Sequence, residues 1–247
     1  MILSLLQGSD PKQLIASLLL SLPVILLALS FHETAHGYVA YKCGDSTAYN
    51  LGRLTLNPIK HFDGIGFLCM LICGFGWAKP VPINTRNFTN PKRGMVLSAA
   101  AGPCANLVLG IFSALFYGGS VALQSYLYYT VGNHAFVFNA VSWLAIFFML
   151  GAYYNFFFAV FNLIPVPPFD GSRIALAFLP TTTYFRIMRY ERQIMFGILI
   201  ALLALSRLGI SPFGWIADSL TDLISTPVRD LLWEKVLLPD LLSGIQL

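Results

Sequence analysis

Apolar residues come in long blocks along this chain, separated by short stretches that are polar, basic or rich in glycine and proline. Residues 14–31, LIASLLLSLPVILLALSF, form the first block. Residues 94–118 form the second, about 135–163 a third that is rich in aromatics, and about 193–208 a fourth. A membrane-spanning helix needs roughly 20 apolar residues, so the pattern predicts four spans, the first kinked at Pro23. Between the first two lies GIGFLCMLICGFGW, 64–77, which is apolar but short and bounded by glycines. It reads as a re-entrant or strand-like piece packed against the helices. AKPVPINTRNF follows, with Pro80 and Pro82 and no helical period, and reads as loop or edge strand. The expected class is an all-α polytopic membrane protein, with about four transmembrane helices plus a re-entrant or short-strand segment between the first two.

Composition strengthens this picture. Of 247 residues, 57% are hydrophobic and 11% charged, where a soluble domain carries about 25% charged residues. A net charge of +4 is too small to suggest a nucleic-acid partner. The four cysteines show no CxxC pairing and read as small buried hydrophobes. Without a basic n-region ahead of it, the first block reads as a retained helix and not a signal peptide. Charge placement sets the orientation. Segment 42–93 holds Lys42, Arg53, Lys60, Lys79, Arg86, Lys92 and Arg93 against Asp45 and Asp63, which places it in the cytoplasm. Loop 119–134 has neither Lys nor Arg and belongs outside, whereas 165–192 carries Arg173, Arg186, Arg189 and Arg192 and returns inside. Four spans with both termini outside satisfy every loop. Residues 1–209 form the expected membrane domain. Residues 210–247 form a tail whose Trp215 and Trp233 suit an interfacial amphipathic helix.

Three ionisable side chains, His32, Glu33 and His36, stand at the inner end of the first block, where burial is costly unless something binds them. They form HETAH, an HExxH pattern. Helix residues four apart differ by about 40° and 6 Å, so His32 and His36 present their imidazoles to one point. Two neutral imidazoles at that spacing suit zinc, and Glu33 between them can reach a zinc-activated water and accept its proton. Catalytic zinc keeps three protein ligands and an open position. Asp170, in the Pro/Gly-shaped turn PPFDG on the same predicted side, is the first candidate for the third, with N-capping of the next helix as its alternative role. His61, in NPIKHFDG, is the next.

Taken in order, HETAH, GRLTLNPIKHFDGIG, GWAKPVPIN, AAAGPCANL and NLIPVPPFDGSR resemble the site-2 protease family of intramembrane zinc metalloproteases, over most of residues 20–178. The compact bacterial members without a PDZ insertion are most similar. The resemblance implies one zinc held by His32, His36 and Asp170, with Glu33 as the catalytic base. It implies a site open to the cytoplasm within a bacterial inner membrane. The implied substrate is a membrane protein with a single transmembrane helix, cut within the lipid bilayer. It further implies that Asn162 and Asn106 contact substrate or an oxyanion, while a buried Asn that satisfies helix backbone is the plainer alternative for both. The sequence departs from the family at Gly64, where HxDPxG commonly has proline.

Two other functions compete. A prenyl-peptidase-like hydrolase would need a glutamate as third ligand, and Glu191, set among arginines, is the available donor. A non-catalytic, zinc-stabilised membrane-binding or chaperone-like module would not need Glu33.

Overall fold

A computed structural model describes residues 11–73, 77–132, 136–175, 178, 180–208 and 212–237. Among them the regular structure is helical and no strand occurs. The α-helices are α1 (Pro11–Lys42), α2 (Thr47–Asn50), α3 (Pro58–His61), α4 (Gly64–Cys73), α5 (Pro91–Thr130), α6 (Phe136–Asn162), α7 (Asp170–Ala175), α8 (Thr181–Met188), α9 (Glu191–Arg207) and α10 (Pro212–Leu232).

Among the described residues, three helices are long and apolar enough to cross a membrane: Leu19–Lys42 within α1, and all of α5 and α6. The fourth expected span falls in α9, whose 17 residues rise about 26 Å, just short of the ~30 Å hydrocarbon layer. Over Gly64–Cys73 the strand alternative is not what forms. Gly64–Cys73 is a ten-residue helix, about 15 Å long and so half a bilayer thick. Its Leu and Met residues are good helix formers, and the Asp63 carboxylate accepts from the Gly66 N–H at 2.8 Å to start it. Residues 74–76 lie outside the described residues. Residues 77–84 are extended but join no ladder, because Pro80 and Pro82 lack the N–H groups a ladder needs.

The other starts are equally legible. Asn57 and Asn90 each stand before a proline at the first helical position, and their side chains accept from Ile59 N–H and Arg93 N–H at 3.1 and 3.0 Å.

The chain forms two compact units. One comprises Met1–Asn106 with Phe158–Pro212, the other Leu107–Phe157 with Phe213–Leu247. In the second, Ala114, Ala152, Phe156 and Ala217 form a fully buried cluster, lined by Tyr153, Phe157, Leu220 and Ile224. The region after 209 therefore contributes a packed helix, α10, whose Ala217, Thr221 and Ser225 are buried. In the first unit the core is more polar: Ser30, His32, His36, Asp45, His61, Ser98 and Asn106 are all buried.

Candidate metal centre

The HETAH turn lies inside α1, with His32 and His36 each less than a tenth exposed. Their rings meet edge to face, centroids 4.5 Å apart, and the two Nε2 atoms stand 2.9 Å from each other. Asp170 opens α7 after the loop that follows α6, and its Oδ2 lies 3.1 Å from both Nε2 atoms. The carboxylate faces the imidazoles and caps no backbone N–H among the described residues. Phe161 and Phe169 pack at 4.4 Å across the ligand loop and help fix it.

The far side of each ring decides its tautomer. Asn106, buried in α5, donates its Nδ2 to the Ala28 carbonyl at 3.2 Å, which turns its Oδ1 toward His32 Nδ1 at 2.5 Å. His32 Nδ1 therefore carries a proton and donates it. His36 Nδ1 faces the Ser98 carbonyl at 2.6 Å, an acceptor only, so it donates as well. Both Nε2 atoms are left with bare lone pairs, aimed at an ionised carboxylate.

Three electron-pair donors about 3 Å apart repel one another unless a cation lies among them. Four-coordinate zinc with ligands at about 2.0–2.1 Å sets its donors roughly 3.3 Å apart. The N, N, O set here is within a few tenths of an ångström of that, so the residues fit the metal. A hydrogen-bond acceptor on the outer ring nitrogen is the usual support for a metal-binding histidine. Gly102 supplies the space: a Cβ there would stand 2.5 Å from His36 Cε1 and 2.6 Å from His32 Cε1. His32, His36 and Asp170 are the one group of three or more such donors that converge among the described residues.

Glu33 lies beside the cluster, partly buried, with Oε2 accepting from the Val81 N–H at 2.8 Å. Thr34 Oγ1 donates to the Thr55 carbonyl at 2.7 Å and ties the same turn to the following loop. The other residues singled out in the sequence fall elsewhere. His61 is buried, but its Nε2 donates to the Thr55 carbonyl at 2.7 Å and it stays outside the donor group. Glu191 opens α9, also outside that group. Asn162 donates to the Phe158 carbonyl one turn back at 3.0 Å. Sequence reasoning missed Gly102, Ser98 and Val81. The Gly-Pro pair inside an apolar helix and the isolated amide of Pro-Val-Pro were the available signals for two of them.

Residues 131–206, which include Asp170, match peptidase family M50. Three relatives share the printed name "Putative zinc metalloprotease". YwhC of Bacillus subtilis is 42% identical over 161 residues, 64% of this chain and 68% of that protein. Rip2 of Mycolicibacterium smegmatis is 30% identical over 152 residues, 59% of this chain and 52% of its own. MJ0611 of Methanocaldococcus jannaschii is 28% identical over 198 residues, covering 74% and 86%. No solved structure matches. With the extent of the likeness to YwhC and a family match that takes in the Asp170 turn, the chain belongs to peptidase family M50, the site-2 protease family.

Proposed function

We propose that this protein is an intramembrane zinc endopeptidase that hydrolyses a peptide bond in the transmembrane helix of a membrane-protein substrate. The observation that carries the reading is the convergence of His32, His36 and Asp170, with both outer histidine nitrogens already engaged. One zinc per chain, held by these three residues, would supply a Lewis acid that acidifies a water and polarises the scissile carbonyl. Glu33 would accept a proton from the attacking water as the water oxygen adds to the carbonyl carbon. The same carboxyl then returns the proton to the amide nitrogen as the C–N bond breaks. Asn106 and the Ser98 carbonyl hold the protons of His32 and His36 away from the metal side. Asn106 thus acts through His32 in this reading and does not touch substrate, and Asn162 serves its own helix.

The basic segments 42–93 and 165–192 support a site facing the cytoplasm, four spans with α9 as the last, and both termini outside. Burial of the donors in an apolar helix supports a substrate that comes from the bilayer.

The test compares purified wild type with Glu33→Gln and Asp170→Ala, reading bound zinc and cleavage of single-span membrane peptides. Wild type and Glu33→Gln should each hold one zinc, only wild type should cut, and Asp170→Ala should lose metal. A folded wild type that holds no zinc, or a Glu33→Gln variant that still cuts, would falsify the reading.

A further inference from the structure

The extended strap Lys79-Pro80-Val81-Pro82 is held at the HETAH turn by a denser set of bonds than its length requires. The Lys79 N–H donates to the His61 carbonyl at 2.9 Å. Arg53 Nη2 donates to the Lys79 and Pro80 carbonyls at 2.9 and 3.2 Å. The Asn84 N–H donates to Asp45 Oδ2 at 2.7 Å. Val81 itself is buried, and a Cβ on Gly37 would lie 3.0 Å from its Cγ1, so the helix backbone leaves room for this side chain. Between these anchors the Val81 N–H donates to Glu33 Oε2 at 2.8 Å.

Proline chemistry makes that donor unique. Pro80 and Pro82 have no N–H, so Val81 carries the one amide between Lys79 and Ile83. Pro82 also biases the residue before it toward an extended backbone. A rigid, anchored segment thus offers a single amide to a carboxylate on a flexible side chain. One oxygen of Glu33 is fixed, and Oε1 remains for proton transfer.

We propose that the Val81 amide is the positioning group of the Glu33 carboxylate, and that the Pro-Val-Pro strap orients the base for the reaction. This rests on the protease reading of the site. It adds a residue that touches neither metal nor substrate and acts through Glu33.

The experiment uses the full zinc-loaded chain in detergent and has two arms. Hydrogen exchange is followed on a peptide covering 79–83, in which only Lys79, Val81 and Ile83 carry amides. The Val81 amide should be protected in wild type and in Glu33→Gln, which keeps an acceptor oxygen, and should lose protection in Glu33→Ala. In the second arm, Val81 is replaced by its α-hydroxy acid, so that an ester oxygen stands where the N–H was and the side chain is kept, with Arg53→Lys as the control for the weakened Pro80 carbonyl. A hydrogen bond to a charged group supports an expected loss of about 10- to 100-fold in kcat, with KM and bound zinc unchanged. Rapid Val81 exchange in wild type overturns the proposal, as does protection that survives Glu33→Ala or an ester variant with wild-type kcat. Should wild type cleave nothing while the protection pattern holds, the protease reading falls and takes the catalytic meaning of this bond with it. The intact protection separates that failure from the others.

Discussion

The two compact units satisfy their polar groups with a different balance of long-range and local bonds. In the unit that carries HETAH, side-chain bonds reach far along the chain: His32 to Asn106, His32 and His36 to Asp170, Glu33 to Val81, Asp45 to Asn84 and Asn87. In the other unit, Ser120, Ser125, Ser142 and Thr221 each donate to a carbonyl four residues earlier on the same helix, and Gln124 Nε2 also reaches across to Ser142 Oγ at 2.7 Å. There the core is alanine and phenylalanine, close-packed with no exposure. Local back-bonds satisfy a hydroxyl without fixing anything else. Long-range bonds fix groups relative to one another to within a hydrogen bond's tolerance, which a reaction site needs. Position is what the first unit supplies, and apolar bulk is what the second supplies.

Substitutions of matched severity should break that contrast if it is wrong. The largest effect is expected at Gly102. Gly102→Ala places a methyl against both imidazoles, so zinc should be lost and cleavage should fall by more than 100-fold, read by metal content and peptide hydrolysis. Phe156→Ala removes a fully buried ring from the other unit and should cost about 3–5 kcal/mol, seen as a lower thermal midpoint, with the zinc content of the folded fraction unchanged. Asn106→Ala removes the partner that fixes His32 and should weaken zinc binding by about 10–100-fold, measured by competition with a chelator.

Asp45 sharpens the comparison without touching the metal. Burial raises its pKa, but hydrogen bonds from Thr47, Asn84 and Asn87 hold it below the ordinary carboxyl value. Its contribution is therefore complete above the unfolded pKa of about 3.9 and fades as pH falls through the lower folded value. Asp45→Ala should cost about 2–4 kcal/mol at neutral pH, and melts taken at successively lower pH should converge with wild type. Ser125→Ala, at the small end, should change the melting temperature by less than about 0.5 kcal/mol equivalent, since it removes only a local back-bond.

Much of the site could be read from the chain because its information is periodic or positional. HExxH places two rings on one face by helix geometry alone, and PPFDG marks a turn able to aim a carboxylate. Asn106 was visible as a polar residue in an apolar block, but its partner is 74 residues away and no spacing rule connects them. Val81 was hidden for a related reason: it acts through its backbone, and a valine signals only a preference for burial or strand. The short apolar piece at 64–73 was ambiguous between helix and strand because a run of ten residues contains too few periods to decide. Helix won there because its backbone bonds close within the segment, whereas a strand needs a neighbour that the prolines at 80 and 82 cannot provide.

One dimension of the fold carries its own consequence. Helix α5 has 40 residues, with Pro103 inside it, about 60 Å measured along its axis, and the oily layer is about 30 Å thick. Even at a tilt of about 40°, the steep end of what membrane helices adopt, it rises some 46 Å along the bilayer normal. About 16 Å must stand among headgroups and water, and the exposed Pro91, Lys92 and Arg93 at its start suit that surrounding. The helix that bears Gly102 and Asn106 is thus also a mast. An antibody fragment or crosslinker could grip it from the aqueous side without entering the lipid.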